Sequence, residues 1–251
     1  MHANNETGAL NDLAAIARAV RAVSVGVVFD SGAPPLLHTD AAQSAGKVPR
    51  LDEALRGHVG AATVVGHKMG APKGVAALWL DASAPRLEPM LNGGGQESGA
   101  RAGTEAVPMV VALGAAADVA LAERETEAPR LERLRGLLLA ELTAALAAID
   151  VVPTPRGPAD PARRLNHVLS IGLPGVDARA LLAEVESDVA ASAGSACHSG
   201  GVGSPVLAAM GLSGAEASCT LRLSVGRTTT EDDVVRAAAA LAAGAARLLA
   251  R

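Results

Sequence analysis

The first helix signal in the chain is an apolar stripe near its amino terminus. Apolar residues recur there at spacings of three and four, which places them on one face of an amphipathic helix. Asn11 or Asp12 stands at the position of an N-cap. The stripe consists of Leu13, Ile16, Val20 and Val23.

Short apolar runs separated by helical or loop segments predict strands in the remainder of the chain. Residues 107–148 are rich in Ala and Leu and predict long helices with a break near Ala128 and Pro129. Residues 153–161 are interpreted as a connection, and further helices are predicted over 177–186 and from Glu231 onward. The predicted strands are 36–39 (ending at Asp40), 63–66 (ending at His67 and Lys68), 75–80, 168–171, 189–192 and 220–225.

This order of elements predicts an α/β fold with two parts. The first is a mixed or parallel sheet flanked by helices, and the second is an α+β unit. We expect the boundary within the long helices, which gives domains of residues 1–122 and 123–251.

Composition excludes several classes of partner. The 251 residues are 49% hydrophobic and 19% charged, which suits a packed core, but only 1% are aromatic, so a base-stacking platform is disfavoured. A net charge of −4 argues against a nucleic-acid binder. No apolar run reaches membrane-spanning length and the amino terminus does not resemble a secretory signal, so we expect a cytoplasmic protein that acts on small molecules or proteins.

The two cysteines predict a reactive thiol rather than a metal site or a disulfide. Neither lies in a CxxC pair or in a His-interleaved metal spacing. Cys197 is flanked by Ala196 and His198 in a loop rich in Gly and Ser, which favours reactivity over burial. Cys219 precedes an apolar strand and is interpreted as structural.

Lys68 is a candidate for imine chemistry because it follows a predicted buried strand, where desolvation favours the neutral, nucleophilic amine. An arbitrary lysine is more often a surface residue whose charged end reaches water. His67 directly before Lys68 and the Gly-Ala-Pro-Lys-Gly turn after it favour the functional interpretation.

Other polar side chains lie where ligands are commonly bound. Asp40 ends a strand, where a carboxylate can hold a proton on a heterocyclic nitrogen or simply cap a turn. Gln43 is expected to point into the same crevice. Arg222 alternates with Leu221 and Leu223 and can bind a carboxylate with two of its guanidinium nitrogens, whereas Asn4 can simply stabilise its own turn.

Six segments together resemble the cysteine desulfurase and selenocysteine lyase group within the class V aminotransferase family. They occur in family order along essentially the whole chain. The resemblance implies a pyridoxal-phosphate-dependent transferase of fold type I, with an incomplete large domain and a small carboxyl-terminal domain. The segments are HANNETG (2–8), HTDAAQSAGK (38–47), VGHKMGAPKG (65–74), NGGGQESGARAGT (92–104), GSACHS (194–199) and LRLSVGRTTTEDD (221–233).

The resemblance implies a role for each candidate residue, with pyridoxal phosphate as the cofactor and no metal. Lys68 bonds covalently to the cofactor, and Cys197 accepts sulfur as a persulfide or acts on selenium. Arg222 binds the substrate carboxylate. The remaining cofactor contacts are Asp40 at the ring nitrogen, Gln43 and Asn4 at the ring oxygen (Asn4 also at the substrate carboxylate), His67 beside the phosphate, and Thr104 at the phosphate of a neighbouring subunit in a homodimer.

The implied reaction removes selenium or sulfur from selenocysteine or cysteine and leaves alanine, with a possible sulfur or selenium acceptor protein. Segments such as VGHK and GGGQE resemble the selenocysteine lyase branch more closely. Two alternatives remain: a catalytically inactive fragment or partner module of a full-length homologue, and a class V aminotransferase acting on another amino acid.

By the same resemblance, the family's amino-terminal phosphate-binding loop and its stacking ring have no counterpart in this chain. Phe29 and Trp79 are its only aromatic residues, and neither is an obvious replacement for that ring. We therefore expect a chain truncated at its amino terminus.

Overall fold

The computed structural model describes residues 1–24, 35–194 and 204–251. They form two compact units, which are considered separately below. The first comprises residues 1–3 and 11–125, and the second comprises residues 4–10 and 126–251. The predicted domains, 1–122 and 123–251, refer to the large and small functional domains of the family, and these bounds stay a prediction.

The described residues contain seven α-helices and six strands. The first unit holds α1 (Leu13–Ser24), β1 (His38–Asp40), α2 (Leu51–Leu55), β2 (Ala61–Val65) and β3 (Ala76–Leu80). Helix α3 (Val107–Leu146) begins in the first unit and ends in the second. The second unit continues with β4 (Thr154–Arg156), β5 (Val168–Gly172), α4 (Ala178–Glu184), α5 (Pro205–Ala209), α6 (Gly214–Ser218), β6 (Thr220–Ser224) and α7 (Glu231–Leu249).

The sheet of the first unit has the order β1-β2-β3. Strands β1 and β2 run parallel, with Asp40 opposite Thr63, while β2 and β3 run antiparallel. A small apolar cluster that includes Leu13, Leu55 and Ala62 packs beside this sheet. Because β1 and β2 are parallel, the turns that follow them leave the sheet at the same edge.

Helix α1 begins as its sequence predicts. The Asp12 carboxylate accepts a hydrogen bond of 2.8 Å from the amide of Ala15, so Asp12 caps the helix. Of the predicted apolar stripe, Leu13 alone is buried, whereas Ile16 is exposed and Val23 is 73% exposed.

Helix α3 is continuous, so the predicted break near Ala128 and Pro129 is wrong. Pro129 removes one backbone donor from the interior of the helix, and two side-chain contacts lie beside it. Asn166 donates a hydrogen bond of 3.0 Å to the carbonyl of Ala128. Arg130 pairs with Glu127 across the proline, with 2.6 Å between Nε and Oε1.

The sheet of the second unit is antiparallel, with the order β4-β5-β6. All five residues of β5 are buried. Leucines of α3 and apolar residues of α4 and α7 pack around this sheet and form the larger core of the molecule's described part. The largest fully buried side chains of this core include Leu134, Leu142, Leu146, Leu169, Ile171, Leu181, Leu221 and Leu241.

Two predictions in the second unit are wrong. Residues 189–192 do not form a strand: Ser192 makes an isolated antiparallel bridge to Arg222. Residues 153–161 are more than a connection, because Thr154–Arg156 pairs with β5. Within the described parts of the chain, no helix is long and apolar enough to cross a bilayer.

Candidate active site

The turn after β2 presents Lys68 to solvent, so the prediction that its side chain is desolvated after a buried strand is wrong. Residues Gly66–Lys68 form one turn of 3-10 helix, on which His67 and Lys68 are both exposed. Gly66 is buried beneath them and donates a hydrogen bond of 3.0 Å to the carbonyl of Val75. A Cβ at position 66 would lie 2.9 Å from Val75 Cγ1, so only glycine allows this close approach.

Asp40, the last residue of β1, lies at the neighbouring position of the same sheet edge. Asp40 is exposed, and its Oδ1 accepts a hydrogen bond of 2.7 Å from the amide of Ala42. The amide of Ala41 donates to the carbonyl of Thr63 at 2.9 Å, which fixes the start of this turn against β2. Gln43 lies half-buried in the same turn.

Lys47 is a further cation in this region, and no pattern in the sequence singled it out. It is half-buried at the end of the turn that begins at Ala41. Burial, and then the positive charge of Lys68, lower the pKa of Lys47 to about 8. Its only sequence signal is its place in the HTDAAQSAGK segment.

In the second unit, Asn4 organises the opening turn of the chain. Its Oδ1 accepts hydrogen bonds of 2.9 Å from the amides of Glu6 and Thr7 and one of 3.1 Å from the Thr7 hydroxyl. The interpretation of Asn4 as a turn residue is therefore confirmed. The side-chain amide of Asn4 also carries two N–H donors.

Arg222 on β6 is connected to the same turn. Its side chain donates a hydrogen bond of 2.8 Å to the carbonyl of Asn5. Glu6 is buried, and its carboxylate accepts a hydrogen bond of 2.5 Å from the hydroxyl of Ser204. Ser204 in turn caps α5, since it accepts a hydrogen bond from the amide of Leu207.

The structure thus brings the predicted residues together in two groups. In the first unit, Asp40, Gln43, His67 and Lys68 lie on turns at the same sheet edge. In the second unit, Asn4 and Arg222 are joined through the opening turn.

Thr104 lies in neither group. It is exposed in the segment before α3. The predicted nucleophile, Cys197, lies outside the described residues. Cys219 is half-buried and follows α6, directly before β6. In the described part of the chain, no group of His, Cys, Asp and Glu side chains could hold a metal ion.

Comparison with known families identifies the chain. The family model described as aminotransferase class-V matches residues 1–236. The chain belongs to the class V aminotransferase family. Members of this family depend on pyridoxal phosphate.

Two curated relatives of this class V chain are named cysteine desulfurase IscS. The protein from Anaeromyxobacter dehalogenans (strain 2CP-C) is 40% identical over 236 residues, which cover 93% of this chain and 54% of the relative. The protein from Shewanella sp. (strain ANA-3) is 36% identical over the same shares of both chains. The chain therefore spans about half the length of the curated relatives it matches.

Solved structures agree with this assignment. A NifS-like protein covers all of the chain with a TM-score of 0.79 at 27% identity, and the match spans 60% of that protein. DndA from Streptomyces lividans matches 89% of this class V chain, and 59% of its own, with a TM-score of 0.62 at 34% identity. The predicted fold type of pyridoxal-phosphate enzymes is confirmed.

The residues at the sheet edge of the first unit suit pyridoxal phosphate. An aldehyde needs an accessible amine, and the Lys68 side chain is exposed. A protonated ring nitrogen needs a carboxylate acceptor, and one oxygen of Asp40, Oδ1, is held by the amide of Ala42 while the side chain remains exposed. The donor set therefore fits the cofactor of the family.

Proposed function

We propose that this protein takes part in cysteine desulfuration, in which sulfur is removed from cysteine and alanine is left. The observation that carries the proposal is the placement of Asp40 at the end of β1 and of Lys68 in the turn after the parallel strand β2, in a chain 40% identical to a protein named cysteine desulfurase. The names of the relatives favour sulfur, whereas the segments VGHK and GGGQE resemble the selenocysteine lyase branch.

Pyridoxal phosphate, when bound, supplies a ring that stabilises negative charge at the α-carbon of the substrate. In the proposed site, Lys68 holds its aldehyde carbon, Asp40 its ring nitrogen and Gln43 its ring oxygen. Asn4 contacts the ring oxygen and the substrate carboxylate, His67 lies beside the phosphate, and Thr104 reaches the phosphate of a neighbouring subunit.

Each protein step can be assigned to a side chain. Arg222 binds the carboxylate of cysteine. The amino group of cysteine replaces Lys68 at the aldehyde carbon, and the released Lys68 amine takes the α-proton and later returns a proton. The Cys197 thiolate attacks the sulfur of the substrate: an S–S bond forms while the Cβ–S bond breaks. The electron pair left on Cβ takes up a proton, which gives alanine and a persulfide on Cys197.

The experiment incubates the 251-residue chain with pyridoxal phosphate and either cysteine or selenocysteine, and measures alanine by amino-acid analysis. We expect alanine from cysteine and a mass gain of one sulfur on the Cys197 peptide. Lys68→Met and Cys197→Ala should abolish persulfide formation. The matched controls Lys73→Met and Cys219→Ala should retain it.

Each other outcome contradicts part of the proposal. Alanine from selenocysteine alone would assign the protein to the lyase branch. Amino transfer to an oxo acid without release of sulfur would favour a class V aminotransferase with another substrate. The absence of any product would support the catalytically inactive alternative.

A homodimer, a sulfur acceptor protein and a cytoplasmic location also belong to this proposal. The resemblance that assigns Thr104 to a neighbouring subunit supports the homodimer. The need of a persulfide for an acceptor supports the sulfur acceptor protein. Sedimentation equilibrium of the chain with pyridoxal phosphate tests the dimer, and a monomer at all concentrations would contradict the role of Thr104.

A further inference from the structure

The turn that carries Lys47 is held rigidly against the sheet edge. Ser44 is fully buried, and its carbonyl accepts hydrogen bonds from the amides of Lys47 at 3.0 Å and Val48 at 2.9 Å. The amide of Ala45 donates to the carbonyl of Ala41 at 2.8 Å. The backbone of Lys47 is therefore fixed by the same turn that begins next to Asp40.

Gly46 brings this turn against the turn of Lys68. Its backbone has φ of +71°, and a Cβ built there would lie 3.1 Å from Met69 Cγ and 3.1 Å from Ala120 Cβ. Gly46 directly precedes Lys47, and Met69 directly follows Lys68. The close approach of the two turns therefore makes Lys47 and Lys68 neighbours.

The surroundings of Lys47 disfavour its charged form. Burial and the ammonium of Lys68 both lower its pKa, to about 8. The other titratable residues adjacent in sequence to the contact are His67 on the turn of Lys68, and Asp118 and Glu123 on either side of Ala120 in α3. Among the described residues, no carboxylate pairs with Lys47, so nothing there offsets the repulsion from Lys68.

We propose that Lys47 is a second carbonyl-reactive amine at this sheet edge, which binds small aldehydes next to Lys68. The inference stands on the packing of the two turns and does not depend on the proposed desulfuration.

The chemistry needs no further reactant. The neutral Nζ of Lys47 attacks the aldehyde carbon, a C–N bond forms, and water leaves with the aldehyde oxygen to give an imine. With a pKa of about 8, roughly one in ten Lys47 amines is neutral at about pH 7, compared with roughly one in three thousand for a free lysine.

The chain offers a clean test because it contains only three lysines: Lys47, Lys68 and Lys73. The whole chain is incubated with pyridoxal phosphate at a series of pH values and reduced with borohydride. The label on each lysine is then measured by peptide mass spectrometry. Lys73 is exposed and serves as the internal reference.

At about pH 7 we expect at least about tenfold more label on Lys47 than on Lys73, in the wild type and in Lys68→Met alike. Equal labelling of Lys47 and Lys73 would overturn the proposal. Lys68→Met should also move half-maximal labelling of Lys47 to higher pH, because it removes a neighbouring positive charge. If Lys68→Met left the pH profile of Lys47 labelling unchanged, the interaction between the two lysines would be contradicted. The control Lys73→Met should leave that profile unchanged.

Discussion

At the scale of single residues, burial separates side chains that look alike in the sequence. Leu121 and Leu142 lie on the same helix, α3, in similar stretches of Ala and Leu. Leu142 is completely buried in the core of the second unit, whereas 62% of Leu121 is exposed. The two leucines should therefore differ greatly in what they contribute to the free energy of unfolding.

We expect Leu142→Ala to lower the free energy of unfolding by about 3–5 kcal/mol, because it removes buried methyl groups and leaves a cavity. The matched change Leu121→Ala should cost less than about 0.5 kcal/mol. Urea unfolding followed by circular dichroism measures both. Similar losses for the two variants would contradict the assignment of the core.

The lowered pKa of Glu127 predicts that the free energy of unfolding depends on pH. The hydrogen bond from Arg130 lowers the pKa of Glu127 below its usual 4.5. A carboxylate with a lowered pKa stabilises the folded state above its unfolded pKa, and this contribution is lost as the pH falls through the folded pKa. The stabilisation should therefore be complete at neutral pH and disappear only in acid.

Glu127→Gln should cost roughly 1–2 kcal/mol at about pH 7, because the charged hydrogen bonds to Arg130 are lost. The difference from the wild type should shrink toward zero as the pH is lowered below about 4.5. The neighbouring Glu125→Gln, whose partner Arg124 is exposed, is the control and should change little. A difference that does not depend on pH would contradict this role of Glu127.

At the scale of the element, the starts of several helices are fixed by capping side chains that can be identified in the sequence. Helix α7 begins with a capping box: Thr230 Oγ1 accepts a hydrogen bond of 3.1 Å from the amide of Asp233, and Asp233 Oδ2 accepts one of 3.0 Å from the amide of Thr230. Asp177 likewise caps α4. Such local signals made the starts of α1, α4 and α7 predictable.

Thr230→Ala should lower the free energy of unfolding by about 1 kcal/mol, because an amide at the start of α7 loses its partner. Thr228→Ala, two residues earlier and exposed, is the matched control and should have little effect. Thermal unfolding followed by circular dichroism compares the two. Equal melting temperatures would show that the cap contributes nothing measurable.

At the scale of the whole molecule, the two sheets differ in how far they are buried. Strand β5 is the central strand of the sheet in the second unit, and all five of its residues are buried. Strand β3 is an outer strand of the sheet in the first unit, and four of its five residues are exposed. Amide hydrogen exchange reports such differences, because exposed edge strands open locally at low cost.

We therefore expect the amides of β5 to exchange much more slowly than those of β3 under native conditions. Hydrogen exchange with mass spectrometry resolves both strands in separate peptides. Equal exchange of the two strands would show that the larger core does not protect the sheet of the second unit.

The sequence alone was sufficient for most strands, for the starts of helices α1, α4 and α7, for the family and for the cofactor that the family implies. Period-two and three-to-four spacings, caps and motif order are local, so they are visible along the chain. The positions of Asp40 and Lys68 after two strands were predictable for the same reason.

Only the tertiary structure decided what depends on residues distant in the chain. Helix α3 continues through Pro129, beside which Asn166 donates to the Ala128 carbonyl and Arg130 pairs with Glu127. Ser192 forms a single bridge rather than a strand. The position of Lys47 next to Lys68 follows only from the packing of Gly46 against Met69. Such contacts join segments that no local pattern relates, so burial and electrostatic neighbours appear only in the folded chain.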